Sequence, residues 1–311
     1  MVALFAVITA LRSHQVGVPL RDPDGVIFRW RIVKSLVLFG LLVLLDTSIR
    51  TRRSGWGLEN FVAELRARWP KDRLAIALSG LLAYHIVYVC YRNVKSWVAF
   101  RDQHDDLLLR VDQALFFGHS PAVLLHDLLG HQTAAYALEV IYRSFTYLVP
   151  LSVVAALVFA PKIREGYVML MSAMWVWILG VGSYYLIPAL GPFASAPQDF
   201  AQLPDTSITS TQAEYTIERE QLLLHPGAGD SFSSIAAFAS LHVGFTCMVM
   251  LMLRYYGLRR AANVMAVYLA ATIVATVYLG WHYVIDDPAG FVLAWLAVLF
   301  GRLMIRGRGS P

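Results

Sequence analysis

Two short stretches of this chain carry residues able to do chemistry: "SLHVGFT", holding His242, and "TVYLGWHYVIDDPAG", holding His282, Asp286 and Asp287. His282 and Asp286 are four apart, so on a helix they share one face and the carboxylate can accept a hydrogen bond from one ring nitrogen. The other nitrogen is then the better nucleophile, by the orienting logic of catalytic triads. A second imidazole, with an ordinary pKa of about 6.5, can give a proton to a leaving oxygen and take one from an incoming acceptor near neutrality. His242, His282 and Asp286 together match phosphoryl transfer through a phosphohistidine.

The elements that position them are apolar. The 311 residues are 58% hydrophobic and 15% charged, with mean hydropathy +0.56, against roughly 25% charged in soluble domains. Runs long enough to cross a bilayer are expected at about Ile32–Ile49, Leu74–Tyr91, Ala134–Ala160, Tyr167–Ile187, Ile235–Tyr256, Ala261–Leu279 and Pro288–Met304. Their period is helical or continuous, without the alternation of a barrel strand. The chain reads as an all-α, polytopic transmembrane bundle. Ionisable groups beside such spans are costly and mark function. One helix running inward and the next returning outward would bring His242 and His282 to the same depth.

Residues 1–73 read as an N-terminal extension with an additional transmembrane or interfacial helix, and residues 74–311 as the catalytic domain; the apolar opening "MVALFAVITAL" has no assigned role. Polar loops are expected at Arg92–Gln132 and Gly191–Asp230. Arg50, Arg52, Arg53, Arg66, Arg68, Lys71, Arg73, Lys162, Arg164, Arg254, Arg259, Arg260, Arg302, Arg306 and Arg308 alternate onto one side, which the positive-inside rule makes cytoplasmic. The histidines then face outward. Arg12, Arg21, Arg29, Arg31 and Lys34 run against this count.

The net charge of +5 is explained by arginines at helix ends, and a nucleic-acid role is excluded. Cys90 and Cys247 fall in spans and read as packing residues. His85, His104, His119, His126, His131 and His225 read as carbonyl-bonded or exposed, and Asp287 before Pro288 as a helix cap. No Cys/His or HExxH spacing calls for a metal, and no cofactor is implied. Only four of the 26 basic residues are lysine, which points to a GC-rich bacterium and its plasma membrane.

"SLHVGFT" followed by "YLGWHYVIDDPAG" resembles the second and third motifs of the type 2 phosphatidic acid phosphatase superfamily, within it the branch similar to inositol phosphorylceramide synthase. The resemblance covers roughly the second half of the chain. It implies a six-helix core with the Ile32 span as an extra, attack on phosphorus by His282, orientation by Asp286, and acid and base work by His242. The pattern also departs from the superfamily's phosphatases, which carry an arginine before the nucleophilic histidine and a basic first motif. Here Thr276 holds the arginine's place, and "YYLIPALGPF" contains no base.

Phosphate must then meet other cations. Arg92 and Lys95 in "YRNVK" are the first candidates, with snorkelling to the interface as the equal alternative, and Arg143 is the next. Backbone amides around Gly191 and Ser240 are further donors. The leading reading is a phosphotransferase moving a phosphorylated headgroup from a lipid to an acceptor alcohol. Hydrolysis of a lipid or polyprenyl phosphate is the alternative in the same chemistry, and a transporter or scaffold is the alternative outside it.

Overall fold

The computed structural model describes residues 1–306, all-helical and without strands among them. The N-terminal part supplies α1 (Val2–Val16), α2 (Arg29–Ser54) and α3 (Leu58–Arg68). Next come α4 (Lys71–Ser96), the short α5 (Asp105–Leu115) and α6 (Pro121–Leu129), then the long α7 (Thr133–Phe159) and α8 (Ile163–Leu186). After α9 (Pro192–Ser195) and α10 (Ser207–Leu224), the chain closes with α11 (Leu241–Tyr255), α12 (Arg259–Tyr278) and α13 (Asp286–Arg306). Among the described residues, α2, α4, α7, α8, α12 and α13 are long and apolar enough to cross a membrane. This is an integral membrane protein.

α8 is the most enclosed of these spans, packed against α4, α7, α11 and α13. Small residues set the closest approaches, as expected where apolar lipid leaves packing to hold helices together. Between α11 and α13, a Cβ on Gly290 would lie 2.7 Å from the Ser240 carbonyl oxygen, and one on Gly244 would lie 3.2 Å from that of Gly290.

α11 differs from the expected span. It begins at Leu241, not Ile235, and its 15 residues reach about 22 Å, short of a hydrocarbon core of about 30 Å. Residues 231–240 are non-helical yet mostly buried. Their amides are met by the Ser96 hydroxyl (to Ser233, 2.8 Å), the Ala189 carbonyl (to Ala237, 2.9 Å) and the Ser183 hydroxyl (to Ala239, 3.0 Å). Hydropathy cannot separate this from a helix, because both bury apolar side chains and satisfy their backbone; here the partners come from α4, α8 and the segment after α8. The two polar loops also gain structure, holding α5 and α6 in one and α9 and α10 in the other.

The arginines expected on one side gather at one end of the bundle. Arg68 donates to the Val158, Ala160 and Pro161 carbonyls, Arg73 to those of Ala160 and Pro161, and Arg164 to that of Ile305. Asp46 ties Arg50 (2.9 Å) and Arg68 (3.5 Å) together. Arg308 lies outside the described residues. The discordant N-terminal arginines are held at the opposite end by specific contacts: Arg21 donates to the Ser231 and Pro226 carbonyls, Arg12 lies near the Tyr185 hydroxyl, and Arg31 sits 3.9 Å over the Tyr88 ring.

Candidate active site

α12 ends at Tyr278, and the chain turns through Gly280 at φ +76°, where a side chain would also strike Phe200 and Phe193. The Thr276 carbonyl accepts from the Trp281 and His282 amides at 3.0 and 3.3 Å, so the end of α12 holds the turn. His282 therefore sits in a turn and not on a helix, which corrects the helical i, i+4 expectation. Its pairing still forms because Asp286 opens α13: Oδ2 lies 3.1 Å from His282 Nδ1 and accepts from the Tyr283 amide at 3.1 Å. Both are buried, His282 at 5% and Asp286 at 0% exposure.

His242 arrives from the first turn of α11. Ser240 caps that helix, its hydroxyl accepting from the Val243 amide at 3.4 Å, and its own amide donates to the Asp286 carbonyl at 3.2 Å. That bond and the Gly244–Gly290 crossing register α11 against α13. The two imidazole centroids lie 6.0 Å apart at 60°. His242 is further flanked by Tyr142 (4.2 Å, 25°) and Phe145 (4.2 Å, 42°), and Tyr142 stacks on Trp281 (5.5 Å, 8°).

Of the basic candidates, Lys95 is near both imidazoles, its charge acting on each of them, and its ammonium lies 5.4 Å from the centre of the Tyr184 ring. Arg92, one turn earlier on α4, donates to the Ser234 hydroxyl at 3.1 Å, shares Tyr88 with Arg31, and keeps a buried Nε without a partner. Arg143 is directed elsewhere, largely exposed and bonded to Glu139 and to Ser207. The Gly191 amide is occupied by Asp105 at 2.9 Å, and a side chain at Gly191 (φ +106°) would collide with the Trp281 carbonyl. Thr276 turns its hydroxyl back to the Ile273 carbonyl, so no cation stands there. Asp287 does not cap α13 with its side chain: it is buried, and neither carboxylate oxygen has a partner.

Burial, and next the Lys95 charge, push His282 down to about 3, against a backbone hydrogen bond to Ala237. The ring is therefore neutral near pH 7, the state in which a nitrogen lone pair is free to react. His85 bonds the Leu81 carbonyl (2.7 Å) and Ser35 (3.1 Å), and His126 bonds the Tyr278 carbonyl (2.8 Å), both as core histidines. Among the described residues no cluster of three His, Cys, Asp or Glu side chains is arranged to hold a metal ion.

The sequence did not point to Asp105, Asp112, Tyr142 or Phe145, and it marked Arg31 only as a charge running against the sidedness count. The α5 acids carried one usable signal, two carboxylates seven apart and hence on one helical face. The aromatic walls and the reach of Arg31 are tertiary facts with no local pattern. A family model for the PAP2 superfamily matches residues 106–300, well over half of the chain, and includes His242, His282 and Asp286 but not Arg92 or Lys95. Among curated proteins and among solved structures, no chain matches it. With an all-helical membrane bundle that brings the two motif histidines and their aspartate together, and a family match of that extent, the chain belongs to the PAP2 superfamily, whose chemistry is that of lipid phosphatases and phosphotransferases.

Proposed function

We propose that the protein is a phosphotransferase that moves a phosphorylated headgroup from a lipid donor to an acceptor alcohol, in the manner of the branch similar to inositol phosphorylceramide synthase. The observation that carries this reading is the Asp286–His282 pair at 3.1 Å, facing His242 across 6.0 Å between ring centroids. Asp286 accepts a hydrogen bond from Nδ1–H and fixes the tautomer, which leaves Nε2 to attack phosphorus. As the N–P bond forms and the donor's P–O bond breaks, His242 gives a proton to the leaving oxygen. In the second half, the acceptor hydroxyl returns a proton to His242, its oxygen bonds to phosphorus, and the N–P bond breaks.

Lys95 supplies positive charge to the phosphoryl oxygens, with Arg92 behind it, in place of the arginine absent at Thr276. The positive-inside rule puts the basic end in the cytoplasm and the histidines at the extracytoplasmic face of, on the composition argument, a bacterial plasma membrane.

The test is to trap label on the purified protein after a short exposure to a phospholipid donor labelled in its headgroup phosphate. Label is expected on the wild type and absent from His282→Ala, and label persisting on His282→Ala would refute the assignment. Adding an acceptor alcohol should raise turnover with formation of a phosphodiester. Phosphorylated headgroup released at the same rate without acceptor would reassign the protein to hydrolysis.

A further inference from the structure

The residues between His282 and Asp286 are held by a helix that precedes the catalytic motifs by well over 100 residues of chain. Asp105 and Asp112 stand about two turns apart on one face of α5, 8% and 2% exposed. Asp112 accepts from the Val284 amide at 2.8 Å and from the Ile285 amide at 3.2 Å, one carboxylate oxygen to each. Asp105 accepts from the Tyr283 hydroxyl at 2.8 Å, and also from the Leu190 and Gly191 amides at 2.9 Å. The same Tyr283 hydroxyl also bonds the Ser195 hydroxyl at 2.7 Å. With the Tyr283 amide on Asp286, every amide between nucleophile and orienter is bonded to a carboxylate.

Simple loop anchoring would need less. A buried carboxylate is an expensive acceptor, and a neutral oxygen would satisfy a single amide. The carboxylate's distinctive property is that it presents two acceptor oxygens in one rigid plane, here spanning the consecutive amides of Val284 and Ile285. That fixes the direction of the peptide chain as well as its position. The His282–Asp286 bond depends on both, because its partners lie on opposite sides of this tripeptide.

We propose that Asp105 and Asp112 are positioning residues for His282: through Tyr283, Val284 and Ile285 they set the distance and angle of the His282–Asp286 hydrogen bond, without touching the substrate. The inference rests on the reading of His282 as nucleophile. It predicts a kinetic signature, because a misplaced nucleophile slows the chemical step while donor binding, made elsewhere, is preserved.

Asp112→Asn leaves one acceptor oxygen and puts an amide donor against a backbone N–H. Tyr283→Phe removes a single hydroxyl and leaves the turn's apolar packing in place. In single-turnover trapping, Asp112→Asn is expected to form phosphoenzyme about 10 to 100 times more slowly, the scale of a 1 Å misplacement, with donor affinity little changed. Tyr283→Phe should show a smaller loss of the same kind. In both, the His282 Nδ1–H resonance of protein labelled with nitrogen-15 histidine should move from its wild-type position, and Asp112→Glu should recover less than the wild-type rate. A wild-type trapping rate with an unmoved resonance in folded Asp112→Asn, or a loss confined to donor affinity, overturns the proposal. If Asp112→Asn does not fold, Tyr283→Phe decides by the same two readouts. Label persisting on His282→Ala would instead remove the parent reading, and the resonance would still report whether α5 sets the imidazole.

Discussion

His282 reaches its working state through burial more than through its partner. Removal from water and the neighbouring Lys95 charge hold its pKa down to about 3, so Asp286 has only to fix the tautomer of a ring that is already neutral. The folded pKa lies below the unfolded value of about 6.5. The folded protein therefore binds fewer protons than the unfolded chain between those values, and stability from this group is lost as pH falls from about 6.5 towards 3. Histidine nitrogen-15 shifts followed from pH 8 to 5 should show His282 neutral throughout, and a titration midpoint near 6.5 would contradict the environment described. Asp286→Asn should keep the pocket's shape but admit the wrong tautomer, with a loss approaching the roughly ten-thousand-fold of triad aspartates, read as the rate of phosphoenzyme formation. At this scale the sequence was informative about types and spacing, since His242, His282 and Asp286 are polar residues in an apolar chain. It was silent on Tyr142, Phe145 and Asp112, which reach the site only through tertiary packing, and it offered Arg143 and Gly191, whose groups are engaged elsewhere.

Among the elements, α11 and α13 decide whether the two histidines meet. Their crossing leaves no room for a Cβ at Gly290, which would press on the Ser240 carbonyl at 2.7 Å, the residue immediately ahead of the turn that carries His242. Gly290→Val should destabilise the protein by about 1–3 kcal/mol, the usual cost of overpacking, and slow turnover further by shifting His242 away from His282. Thermal unfolding in detergent and the trapping assay check the two effects separately. Gly182→Ala on α8 is the control: a Cβ there meets nothing within 4 Å, and stability should hold or rise by up to about 1 kcal/mol. The long spans were legible from hydropathy to within a few residues. The start of α11 was not, because residues 235–240 are mostly apolar and mostly buried, as a helix there would make them. Nor was α5, whose importance lies in where its two carboxylates point.

For the whole molecule, charge is divided between two ends. The end bearing Arg68, Arg73 and Arg164 binds its own helix-terminal carbonyls, while Arg12, Arg21 and Arg31 serve the end that holds the histidines. The basic residues counted for sidedness gather at one end, and the N-terminal arginines that ran against the count make specific contacts at the other. A reporter active only in the cytoplasm, fused after Arg260, should give signal, and one active only outside should not; the reverse result would invert the assigned orientation.

The short α11 also bears on the order in which the protein is made. Its 15 helical residues are too few to cross the bilayer unaided, and within the preceding segment the amides of Ser233, Ala237 and Ala239 are met by Ser96 on α4, Ala189 just after α8 and Ser183 on α8, with the Ser240 amide on the Asp286 carbonyl of α13. All but the last of those bonds are made to chain that precedes the segment. Biogenesis therefore has a built-in sequence, in which α4 and α8 must be inserted and paired before the histidine of α11 can be carried to its depth.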